Sequence, residues 1–81
     1  MPHVAADRGR LRWQCRRGMR ELDVLLSRFL ETRYATASST ECALFAEILS
    51  WQDPELLRYL LGDERHDCAD VAALFAKIRG P

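Results

Sequence analysis

The residues of this chain best able to do chemistry are concentrated in the segment Arg16-Arg17-Gly18-Met19-Arg20-Glu21-Leu22-Asp23. Guanidinium and carboxylate groups flank a glycine there, inside a stretch that otherwise reads as helix. Such groups bind; they make charge-assisted hydrogen bonds to ions and to other proteins. The other reactive residues are scattered. His3 lies near the start and His66 in a polar stretch, neither with a partner at helical spacing, and both read as solvated. Cys15, Cys42 and Cys68 lie far apart. An odd count without C-x-x-C spacing argues against a disulfide framework and against a zinc site. All three read as small, half-buried hydrophobes in a reducing cytoplasm. Asp63, Glu64 and Asp67 cluster without the spacing of a calcium loop. Neither G-x-G-x-x-G nor G-x-x-x-x-G-K-[ST] occurs. The pattern describes a binding module and not an enzyme, with no metal site and no cradle for a stably bound cofactor.

Gly18 sets the geometry of the segment. Glycine inside a helix costs about 1 kcal/mol relative to alanine, and a small domain has little stability to give away. Arg16 and Arg17 precede it, as suits a helix C-terminus, and Glu21 and Asp23 follow, as suits a first turn. The segment therefore predicts an elbow between two helices, with Arg17, Gly18 and Glu21 displayed at the bend. On a continuous helix Arg17 and Glu21 would form a surface i, i+4 pair of about 0.3–0.5 kcal/mol, in the weaker order. With the helix broken at Gly18, both side chains are free for an outside partner.

The elements that position this elbow follow from the hydrophobic spacing. Met1 to Asp7 is expected to fray, and a first helix to run from about Gly9 to Arg17. Leu22, Leu25, Leu26, Phe29 and Leu30 form one apolar stripe of a second helix over about Met19 to Tyr34. Ser38-Ser39-Thr40-Glu41 matches a capping box and opens a third helix to about Trp51, burying Leu44, Phe45, Ile48 and Leu49. Asp53-Pro54-Glu55 starts a fourth, with Asp53 as cap; it carries Leu56, Leu57, Leu60 and Leu61 and stops at Gly62. After a polar loop from Asp63 to His66, Asp67 or Asp70 caps a fifth helix with Val71, Leu74, Phe75 and Ile78 on one face, closed by Gly80-Pro81. Trp13, Trp51, Tyr34 and Tyr59 are expected to anchor their elements to the core. The prediction is an all-α, single-domain bundle of five short helices over residues 1–81.

The chain has 81 residues and a formal charge of zero, unevenly distributed. Residues 1–34 hold eight arginines and four acids, and residues 35–81 four bases and eight acids. This asymmetry suits either a polar binding surface or mutual attraction of the halves. A nucleic-acid surface built from Arg8, Arg10, Arg12, Arg16, Arg17, Arg20 and Trp13 is disfavoured by the neutral overall charge. No apolar run approaches the roughly 18 residues of a membrane span, and no signal peptide is evident, so a cytoplasmic protein is expected.

Arg17-Gly18-Met19-Arg20-Glu21 resembles the R-G-x-x-E signature of the FAD assembly factor family, the SdhE-type succinate dehydrogenase assembly factors. The resemblance extends to Arg10, Trp13, Cys15-Arg16, Leu22-Asp23 and Asp53-Pro54 with the leucine-rich helix after it, and covers about Arg10 to Ile78. It implies a compact five-helix bundle. It also implies an assembly chaperone that binds the flavoprotein subunit of succinate dehydrogenase, and in bacteria often that of fumarate reductase. Such a factor promotes covalent attachment of FAD to a histidine of its partner. FAD is then handled in the partner, and this chain is a monomer when free. By the same resemblance Arg17, Gly18 and Glu21 are the partner-binding residues, with Arg10 and Asp23 as neighbours on that face. Set beside that family, the chain is expected to lack the longer tail of some relatives. An interaction module of antitoxin type is the alternative, since some relatives act on cytoskeletal targets.

Overall fold

The computed structural model describes residues 3–62 and 64–80, with side chains from Gly9 onward. The expected fraying of Met1 and Pro2, the loop position of Asp63 and the closing role of Pro81 lie outside the described residues. Five helices follow in order: α1 (His3–Gln14), α2 (Arg20–Thr32), α3 (Ser39–Ile48), α4 (Asp53–Leu60) and α5 (Ala69–Arg79), with a 3₁₀ turn at Tyr34–Thr36. The architecture is all-α, as predicted. No helix among the described residues is long and apolar enough to cross a membrane.

α2 is the central element. It buries Leu22, Leu26, Phe29 and Leu30 at the i, i+4, i+7, i+8 positions of one stripe. That stripe packs against α1, α4 and α5, while α5 also covers α3 and α4. The core closes around Phe29 and Phe45, whose ring centroids lie 4.8 Å apart, with Tyr34 tilted against Phe45 at 5.8 Å. Val71, Leu74, Phe75 and Ile78 of α5 are buried as their spacing predicts.

The capping box at the start of α3 is present. The Ser38 hydroxyl accepts from the Glu41 N–H at 3.1 Å, and the Glu41 carboxylate accepts from the Ser38 N–H at 3.3 Å. Glu41 also receives Lys77 from α5, which ties α3 to α5. At the other end of α5, Gly80 has φ +86° and Arg28 of α2 donates to the carbonyls of Ile78 (3.1 Å) and Arg79 (2.8 Å). Arg28 thus supplies donors that a helix C-terminus otherwise lacks.

Several expectations are corrected. α1 begins at His3 and ends at Gln14, earlier at both ends than predicted. α2 ends at Thr32, and Tyr34 belongs to the 3₁₀ turn instead. α3 stops at Ile48 because Ser50 and Trp51 turn back in i→i+3 bonds to the Glu47 and Ile48 carbonyls. Gln52, not Asp53, occupies the cap of α4, and Asp53 is its first residue. Cys68, not Asp67 or Asp70, occupies the cap of α5, without a side-chain cap bond. His66 is not solvated. It is half-buried, stacked 5.6 Å from Trp51 and edge-on to Tyr59 at 5.1 Å, and its Nδ1 accepts the Cys68 N–H at 3.0 Å. The cysteines differ from one another, with Cys15 buried, Cys42 half-buried and Cys68 exposed, all free thiols.

Trp13 is the largest departure. It is 70 % exposed, whereas Trp51 packs against Tyr59, Phe75 and His66. Among the side chains described from Gly9 to Cys15, the buried ones are Leu11 of α1 and Cys15 just past its end, one i, i+4 stripe. A residue two positions after Leu11 points about 200° round the helix, so Trp13 faces outward once that stripe is taken.

Two measurements check this account. Phe29→Ala or Phe45→Ala is expected to cost about 3–5 kcal/mol in urea denaturation, as for a large aromatic removed from a tight core. The Lys77 hydrogen bond, foremost, holds the Glu41 carboxyl below its usual range. A carboxyl with a depressed native pKa stabilises above its unfolded value and loses that contribution as pH falls through the native one. Glu41→Gln should therefore lower stability at neutral pH and flatten its decline in the acid range, read from thermal melts across pH.

Candidate functional site

The elbow runs from Cys15 to Met19. α1 finishes with the Cys15 N–H on the Leu11 carbonyl at 2.9 Å, and the Arg16 N–H on the Trp13 carbonyl at 3.1 Å turns the chain out of the helix. Gly18 has φ +82°, a region costly to residues with a Cβ. Met19 is extended, its carbonyl accepting the Asp23 N–H at 2.9 Å to start α2. A Cβ built on Gly18 meets nothing within 4 Å, so the requirement for glycine comes from backbone conformation and not from crowding.

The structure divides the predicted site residues into two groups. Gly18 and Glu21 stand exposed at the bend, and Arg10 is exposed on α1. No hydrogen bond or ion pair involves the Glu21 side chain among the described residues. Arg17 turns inward instead, against the expectation that it is displayed. Its side chain is only 14 % exposed. Nη1 donates to the Trp51 carbonyl at 3.1 Å and to Asp53 Oδ1 at 3.2 Å, and Nη2 donates to the Leu49 carbonyl. Nε is buried without a partner among the described residues. Asp23 is half-buried, and its Oδ1 accepts the Arg17 N–H at 2.6 Å. Arg17 and Asp23 therefore hold the elbow from inside, while Gly18 and Glu21 form its outer surface. Arg17–Asp53 is the one ion pair among the described residues that joins the basic and acidic halves of the chain.

Beneath the elbow lies the Cys15 thiol. Burial, chiefly, pushes it up to about 11, with Arg17 pulling against the shift. It stays protonated at neutral pH and is no nucleophile there.

Sequence reasoning missed part of this surface. Val24 is 54 % exposed and Leu61 49 % exposed, and with Leu25, Arg20 and Glu21 they line an open depression of about 330 Å³. The signal for Val24 was its place outside the Leu22–Leu26–Phe29 stripe. Leu61 reads as part of the apolar face of α4, but the helix ends at Leu60 and Leu61 turns outward. Trp13 is exposed as well, with the Arg16 guanidinium 5.8 Å from its ring. The first turns of α2, α3, α4 and α5 each carry at least one acid. Those helix N-termini, the usual seats of a phosphate group, are already occupied by negative charge.

Fold and site together define a small all-helical binding module with a glycine elbow as its most distinctive surface. The family described as "flavinator of succinate dehydrogenase" matches residues 9–81. Among similar proteins is the FAD assembly factor SdhE of Xylella fastidiosa (strain 9a5c), 46 % identical over 74 residues, covering 91 % of this chain and 76 % of that protein. FAD assembly factor SdhE of Shewanella oneidensis is 39 % identical over 71 residues, covering 88 % of this chain and 87 % of its own. That of Methylococcus capsulatus is 43 % identical over 74 residues, covering 91 % and 89 %. The chain belongs to this family of assembly factors.

Arg17 provides the test of the geometry. Arg17→Ala strips donors from two carbonyls and a carboxylate, and is expected to cost about 2–3 kcal/mol, in the range of hydrogen bonds to charged groups. Arg17→Lys should restore only part of this, because an ammonium cannot reproduce the forked geometry of the guanidinium. Denaturant midpoints of the two variants check it.

Proposed function

We propose that this chain binds the flavoprotein subunit of succinate dehydrogenase, and that of fumarate reductase where present, and promotes covalent attachment of FAD to it. Glu21 is the observation that carries the reading. It is an exposed carboxylate without an internal partner among the described residues, set one turn from a glycine elbow that two inward-facing residues hold in place. A charge kept rigid and unpaired at a surface is positioned for a partner's donor. Membership of a family described as flavinators supports the choice of partner.

The role is that of a scaffold. Gly18 leaves open space for close approach of the partner's backbone, and Glu21 pairs with a donor beside it. Arg10 adds a positive charge on α1, and Asp23 acts from within by holding the Arg17 N–H. Bound in this way, the factor favours the arrangement of partner domains in which flavin and histidine meet, so that its contribution is positioning and not proton transfer. The acidic first turns of α2 to α5 are poor company for a dinucleotide pyrophosphate, which supports the reading that FAD is handled in the partner. The factor acts in the cytoplasm as a monomer.

A reconstituted flavinylation assay tests the reading. Glu21→Ala should leave stability within about 0.5 kcal/mol of the native protein, as for an unpaired surface residue. It should nonetheless abolish in-gel flavin fluorescence of the denatured flavoprotein subunit. Glu47, exposed on α3, serves as the control. Normal flavinylation with Glu21→Ala and loss with Glu47→Ala would put the docking face on the other side of the molecule.

A further inference from the structure

Val24 and Leu61 are exposed hydrophobic side chains that the fold does not use. They come from different parts of the chain, Val24 from α2 and Leu61 from the residue after α4. Folding brings them to one depression whose rim carries Arg20 and Glu21. Val24 follows Glu21 by three residues and Arg20 by four, so all three share one side of α2. Leu25, partly buried against the core, completes the lining.

We propose that Val24 and Leu61 are the apolar anchor of the docking surface that Glu21 serves, taking an aliphatic side chain of the flavoprotein that lies next to a basic residue. The inference rests on the function proposed above and adds what the partner must present there. Charge selects what flanks that side chain: Glu21 calls for a base and Arg20, on the same rim, for an acid, since neither side chain makes a hydrogen bond or ion pair among the described residues. Size selects the side chain, since a depression of about 330 Å³ takes one or two side chains and not a helix. Apolar walls also matter to the ion pair. Once covered they exclude water from Glu21, and a charge-assisted hydrogen bond strengthens as the local dielectric falls. A small apolar pocket beside a shielded charge is the usual anatomy of an energetic centre within a larger interface.

The experiment measures the Kd of the full chain for the isolated flavoprotein subunit of succinate dehydrogenase, with sedimentation and thermal melts run alongside. Val24→Thr keeps the shape of the side chain, Leu61→Ser removes its bulk, and Leu61→Met keeps apolar volume. Val24→Thr and Leu61→Ser together should weaken binding about tenfold or more without lowering Tm, while Leu61→Met binds as the native chain does. If Leu61→Ser lowers Tm, Val24→Thr alone decides, and weaker binding by it supports the anchor. Native affinity in the double variant, with binding lost in Glu21→Ala, overturns the anchor and leaves the proposed function standing. No binding by the native chain overturns both. Loss of self-association in the double variant, with flavoprotein binding intact, assigns the patch to a second copy and overturns the anchor.

Discussion

The guanidinium of Arg17 is the contact on which the geometry of this protein depends. It reaches from the elbow to the turn between α3 and α4, where it holds the carbonyls of Leu49 and Trp51 and the carboxylate of Asp53. Those carbonyls belong to residues that have just left a helix and lack intrahelical partners. Arg17 thus satisfies the end of one helix and the acid at the start of the next. Asp23 completes the arrangement from the other side by taking the Arg17 N–H. An elbow made flexible by a glycine becomes a fixed presentation of the residues that follow.

The signature segment accordingly divides its labour. Arg17 and Asp23 are architectural, whereas Gly18 supplies a left-handed backbone and Glu21 an unpaired charge. α2 makes this division useful. The same helix that starts at the elbow carries the core residues Leu22, Leu26, Phe29 and Leu30, and further along its Arg28 caps α5. Glu21 is therefore borne on the most tightly integrated helix of the protein. On the proposed function this is what a docking charge needs, since a rigidly held group loses little freedom on binding.

Much of the architecture was legible in the sequence because it was written in local patterns. The stripe of α2, the face of α5, the Ser38–Glu41 capping box and the break at Gly18 each depend on residues a few positions apart. What was not legible depended on contacts distant in the chain. Trp13 reads as a core residue until Leu11 and Cys15 are seen to form the buried stripe at the end of α1. Arg17 reads as a surface cation until a turn more than thirty residues away offers it three acceptors. Asp53 reads as a helix cap until Arg17 claims its carboxylate, and His66 as solvated until Trp51 stacks on it and Tyr59 packs edge-on. The exposed Leu61 shows the same limit, since four leucines in one short helix do not reveal which of them the helix end turns outward.

Because Arg17 points into the protein and Glu21 out of it, the two respond differently to second-site suppression. By its internal contacts, a lesion at Arg17 would be a folding defect. It would behave as a temperature-sensitive allele, eased by lower growth temperature or by stabilising substitutions anywhere in the same chain. On the proposed function, a lesion at Glu21 leaves the fold intact and would be suppressed only by an allele-specific change in the partner's gene. A screen for suppressors would therefore separate architecture from recognition within five consecutive residues.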